Sequence, residues 1–213
     1  MKRLKLLLLS LTVVLSGCVV GTRNVDVSAP AFETDKTASG SVYLGEILDK
    51  RVFEQAPSDP STPSVDGQLS STSPETLATL IGRQRNGFGK AMGDVALPEG
   101  GTVDQEVRDL ITLGLESRGY QVVDDANVRP RISVDVEKFW AWFTPGMWAI
   151  SFESNLLCKV NVETENGTQT FKVSGYGLNK GQVASDANWQ LAYERAFADF
   201  LKNMDNMMDA KGL

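Results

Sequence analysis

The chain has 213 residues, a formal net charge of −6 and no histidine. The missing imidazole excludes Ser-His-Asp and Cys-His catalysis and every His-containing metal site. The acidic balance makes the surface a poor match for nucleic acid, whose phosphates are bound by Lys and Arg.

The first element is a secretory signal. Lys2, Arg3 and Lys5 form a basic flank, and Leu6 to Val14 form an apolar run. That run is shorter than the ~20 apolar residues a membrane span needs, so residues 1–17 read as a cleaved signal peptide. An uncleaved anchor or a buried helix is the plain alternative. The run ends in Leu15-Ser16-Gly17-Cys18, which resembles the bacterial lipobox. The resemblance implies that Cys18 gains a diacylglycerol thioether, becomes the new N-terminus and is N-acylated with a chain such as palmitate. One acyl chain binds a membrane only marginally and two signals bind it stably, so three chains imply a lasting anchor. Val19 rather than Asp follows Cys18; by the enterobacterial sorting pattern, this points to the outer membrane and its periplasmic face.

Cleavage leaves 196 residues and, because three basic residues go with the signal, a net charge of −9. Such a surface is not expected to lie on anionic lipid, so the membrane is held through the acyl chains on Cys18. Cys158 is the only other cysteine. With Cys18 lipidated no intrachain disulfide can form, and Cys158 reads as a small buried hydrophobe within a strand.

Residues 18–40 read as a lipidated N-terminus and flexible tether, reaching roughly 25 Å. A single domain is expected over 41–208. A strand covers about 41–48, and a Ser/Pro-rich loop covers 54–74, with no periodic apolar face. Residues 75–85 read as a second strand, and Gly87 and Gly89 mark a turn. A helix is expected over 102–119. Thr102 and Gln105 suit a capping box, and Val103, Val107, Leu110, Ile111 and Gly114 line one face. Gly119 stops it, and a strand opens at Tyr120. Alternation predicts strands over 131–143 and 148–164, joined at Pro145-Gly146. Asn166-Gly167 predicts a hairpin into a strand over 168–176. From about Ser185 a long helix carries Trp189, Ala192, Tyr193, Ala196, Phe197, Phe200, Leu201, Met204 and Met208 on one stripe. The order is β-β-α-β-β-β-β-α. It predicts a two-layer α+β domain with a mixed or antiparallel sheet, the C-terminal helix packed on it.

Little in this order carries chemistry. The glycines around Arg83, Arg85 and Lys90 fail as a phosphate loop, because Phe88 stands where Lys is required; a bulged connection with both arginines exposed is the simpler reading. Asp49 and Arg51 can pair with each other or with charges on the second strand. Glu46, Asp49, Asp135 and Glu137 have the types for acid/base work, yet on alternating strands they read as the wet face. No cluster has metal-ligand spacing, no cofactor is implied, and the chain is not expected to be an enzyme. The unusual stretch is 139–148, where alternation breaks. Either a second layer, such as the tether, covers these aromatics, or Phe139, Trp140, Trp142, Phe143, Met147 and Trp148 form an exposed patch for a partner.

The lipobox, the Asp49-Lys50-Arg51 strand end, Ile81-Gly82-Arg83, the Gly119-Tyr120 strand start, the meander and the terminal helix together resemble the YajG-like family of uncharacterised bacterial lipoproteins. The resemblance covers about 40–206. It implies an envelope lipoprotein and offers no catalytic residues, only the lipidated Cys18. The expected function is a non-enzymatic outer-membrane binding or assembly module, working with an envelope protein partner or by self-association. The alternative is a carrier that holds lipid or polysaccharide in an apolar groove.

Overall fold

The computed structural model describes residues 21–35, 39–86, 90–146 and 148–213. Cys18 and Met147 therefore lie outside the described residues. The elements in chain order are β1 (Arg23–Asn24), β2 (Ser41–Asp49), a 3-10 turn (Leu69–Ser71), α1 (Pro74–Thr79), β3 (Leu80–Arg85), β4 (Ala91–Ala96), α2 (Val103–Ser117), β5 (Gln121–Val123), β6 (Arg131–Pro145), β7 (Ile150–Thr164), β8 (Gly167–Gly181) and α3 (Asp186–Lys211).

The α+β class and the mixed sheet are as expected, and the order is richer. Residues 75–85 are not one strand. The Ser73 hydroxyl accepts from the Thr76 amide and Pro74 opens the first turn, so a short helix forms before β3 begins. β1 and β4 also went unforeseen: one is two residues long, and the other is a six-residue strand with Gly93 inside it.

The eight strands form one sheet centred on β6. One edge of β6 pairs antiparallel with β7, which pairs antiparallel with β8 along its whole length. The other edge is shared. β2 runs parallel to the first half of β6, and β3 runs parallel to its second half at Ala141 and Trp142. β5 flanks β2, while β4 and then β1 flank β3.

Both long helices cover one face of this sheet. Every residue predicted on the α2 and α3 stripes is buried. Rings fill the space between: Phe139 stacks on Tyr193 at 5.1 Å, and Trp189 meets Phe143 and Phe152 edge-on. The Thr102 side chain makes no cap bond, and Gln105 donates to Asp109 at 2.8 Å, one turn on, so the expected capping box does not form. Gly119 ends α2 at a φ of 100°.

The α3 helix lies very close to β8. A Cβ added at Gly177 would stand 1.9 Å from the Ala192 carbonyl oxygen, and one at Gly175 2.3 Å from that of Ala196. The helix also reaches round the outer edge of β8. Asp199 accepts from the Tyr176 amide at 3.0 Å, Asn203 donates to the Ser174 carbonyl at 2.9 Å, and Arg195 donates to that of Leu178. A strand edge left open is a template for wrong pairing, and these bonds occupy it.

The opposite face has its own smaller core. Trp140 and Trp142 bury there with Val65, Leu80 and Ala96, flanked by Phe53, Leu69 and Leu77. The cover is the 54–74 loop, whose Pro60 carbonyl accepts from the Trp140 indole at 3.2 Å. The expected flexible tether packs too, over its described residues 21–35. Val25 and Val27 are buried in the main core, Gln190 donates to the Asp26 carbonyl, and Ser117 donates to that of Phe32. This strap follows α3 from its first turn to Asp205, which accepts from Thr34.

Candidate functional site

The loop-covered face holds the clearest site. Gly82 brings β3 hard against β6; a Cβ there would stand 2.6 Å from the Ala141 carbonyl oxygen. Arg83 pairs in register with Trp142, so both project to the loop side. Arg83 is 5% exposed. It reaches Asp66 at 3.0 Å and Asp94 at 3.2 Å, and Asp94 also accepts from the Asp66 amide at 3.0 Å. Burial raises the Asp94 pKa above its usual range, against the pull of the Asp66 amide and Arg83. The expectation that Arg83 is exposed is therefore corrected: the loop brings Asp66 over it and closes the site. Arg85 is half-buried, and its pKa is lowered by burial and by the charge of Arg83.

Beneath the loop a cleft of about 500 Å³ is lined by Gln55, Pro57, Ser64, Arg83, Arg85 and Lys90, among others. Two of its buried polar atoms, Ser64 Oγ and Arg83 Nε, have no hydrogen-bond partner among the described residues. Buried polar atoms are usually satisfied; Arg118 Nε and Trp189 Nε1 are unpartnered too, but Ser64 Oγ and Arg83 Nε are the ones that lie on the cleft, within reach of an incoming group. Ala56 on the rim holds a φ of 48°, a conformation that costs a non-glycine residue on the order of 1–2 kcal/mol and concentrates at binding sites. Gln55 fixes the loop by donating to the Gly67 carbonyl and accepting from the Leu69 amide. The cleft offers guanidinium and ammonium donors, which suit a carboxylate or phosphate oxygen. Its described lining holds no carboxylate, and no metal-holding cluster of His, Cys, Asp and Glu exists among the described residues.

The aromatic stretch does not assemble into an exposed patch. Phe139, Trp140, Trp142 and Phe143 are buried, and of the described members Trp148 alone, 88% exposed, faces solvent. Both faces of β6 are covered there, by helices on one side and by the loop on the other. The wet-face carboxylates behave as such: Asp135 on β6 pairs with Lys159 on the neighbouring β7, and Glu137 reaches over β7 to Lys172 on β8. Asp49 and Arg51 pair at 2.7 Å. Cys158 is fully buried, and its thiol pKa is pushed up. Sequence reasoning missed Gln55 and Ser64 as cleft residues; the only signal was the unusual length of the loop that holds them.

A family profile described as "Uncharacterized lipoprotein" matches residues 88–208. Among curated proteins no match is found. A solved protein of Xanthomonas campestris described under the family name DUF330 aligns at a TM-score of 0.45 and 10% identity, covering 89% of this chain and 98% of its own. A second solved structure, of an uncharacterized protein, aligns at 0.42 and 10% identity, covering 88% and 97%.

Proposed function

The chain belongs to this family of uncharacterized lipoproteins, and from that premise we propose that it is a non-enzymatic, lipid-anchored binding module of the bacterial envelope. The acyl chains on Cys18 hold it at the periplasmic face of the outer membrane, and residues 41–208, with the strap, act as one domain. The contact is the basic cleft beneath the 54–74 loop, and its occupant is an acidic segment of an envelope protein.

The observation that carries this reading is the pair of orphaned buried atoms, Ser64 Oγ and Arg83 Nε, beside Arg85 and Lys90 in one cleft. The carrier alternative has less support, because ring stacks fill the space between sheet and helices where an apolar groove would lie. The test is mild crosslinking and pull-down from native membranes, comparing lipidated wild type with Arg85→Glu/Lys90→Glu. A partner recovered with wild type and lost with the double variant is the expected result. Equal recovery, or none with either, overturns the reading. Lys90 is exposed and Arg85 half-buried, so circular dichroism must show the native fold in the variant, and Lys90→Glu alone, expected to weaken recovery, serves as the fold-neutral second variant.

A further inference from the structure

We propose that the end of the domain bearing Trp148 is a bilayer-docking surface, seated in the headgroup layer of the membrane that the anchor enters; this rests on the lipid-anchor reading above.

Strand register gathers four chain segments at one end. β3 runs parallel to β6 with Arg83 opposite Trp142, so its last residue, Arg85, is level with Thr144 near the β6–β7 turn. Gly181 pairs with Ile150, which puts the link from β8 to α3 beside the same turn. The Gly21 amide donates to the Met92 carbonyl at the start of β4, and its own carbonyl accepts from Gln84. Arg23 donates to the Ala184 carbonyl at 2.7 Å and pairs with Asp186 at 3.1 Å. The first described residue is thus fixed at this end, three residues after Cys18. Three residues span at most about 11 Å. The lipid anchor cannot stand far from this end, so this end meets the bilayer.

The side chains there suit that place. Trp148 is 88% exposed and Val183 64%; among the described large apolar side chains only Val52 is comparably bare, and it stands apart beside Arg51. Tryptophan favours the membrane–water interface, where its ring is buried and its N–H stays wet. Lys180 is exposed at the same end, while Asp94 and Asp186 are each held by an arginine. The acidic net charge, which argues against adhesion anywhere else on the molecule, averages over this end and does not describe it. An end-on orientation follows, with the rest of the surface kept off anionic lipid.

The test uses the full acylated chain in vesicles of phosphatidylethanolamine with a minority of phosphatidylglycerol, some lipids brominated near the glycerol end of the acyl chain. Trp140, Trp142 and Trp189 are buried, so bromine can quench only Trp148. The expected result is a blue shift and quenching of wild-type emission, both lost in Trp148→Ser. If the acylated chain floats with the vesicles and its emission is unchanged by bromine, the docking surface is overturned and the anchor stands. If the chain carries no acyl group on Cys18 and does not float, the anchor reading fails, and this proposal with it.

Discussion

One side chain holds the sheet together where its strands do not. β2 leaves the edge of β6 after Asp49 opposite Val136, and β3 joins only at Gly82 opposite Ala141. The Arg51 guanidinium fills that interval. It donates to the carbonyls of Phe139 at 3.1 Å and Leu77 at 2.9 Å, and to that of Leu80, while Asp49 and the Phe53 ring flank it. Its side chain is fully buried. Arg51→Met is expected to destabilise the domain by about 3–5 kcal/mol, because it strands a carboxylate and three carbonyls. Urea unfolding followed by circular dichroism measures this, and Arg51→Lys should restore only part of the loss, since an ammonium lacks the planar fork. The sequence reading allowed for the Asp49–Arg51 pair but gave no sign of the gap it spans, because a missing rung is visible only once two strands share one edge. The aromatic residues show the same limit. Broken alternation in β6 allowed a second layer over one face as one of its two readings, but the tether named for it packs against α2 and α3, and the 54–74 loop takes that place. What supplies that cover, a loop without periodicity, has no signature in a single sequence.

Among the elements, legibility followed length and periodicity. The long helix α3 was readable residue by residue, because nine apolar positions repeat at helical spacing. α1 was hidden because six residues hold too little pattern to outweigh the β-rich run behind them. β8 was read too short, since Gly175, Gly177 and Gly181 weaken a strand pattern. The structure explains those glycines: the α3 backbone rests on the space where side chains would be at Gly175 and Gly177, and the Asn188 side chain fills it at Gly181. Gly177→Ala is therefore expected to push α3 off the sheet and cost about 1–3 kcal/mol or more. Thermal unfolding would show it, with Ser174→Ala, on the outward face of the same strand, as the nearly silent control. The cleft was the least legible part, since its residues come from a loop and two short strands that no local pattern joins.

Across the whole molecule, a partly buried carboxyl on α2, with the N-terminal strap adding to its shift, makes stability depend on pH. Glu106 on α2 has its pKa raised from 4.5 to about 7, by burial first and then by the charges of Asp109 and of Asp26 on the strap. A carboxyl with a raised folded pKa binds its proton more tightly when folded. Its contribution is complete below about 4.5 and is lost as pH rises through about 7. Wild type should therefore lose stability across that window relative to Glu106→Gln, and melting temperatures at its two ends would show the difference narrowing or reversing.

The same strap has a mechanical consequence. It runs lengthwise beside α3, from the Arg23–Asp186 pair to the contact of Thr34 with Asp205, and its β1 portion lies parallel to β4. Tension applied at Gly21 along that axis loads these bonds together, in shear, instead of opening them one after another as a zipper opens. A domain tugged by its partner while its N-terminus is held fast would resist with the whole length of the strap.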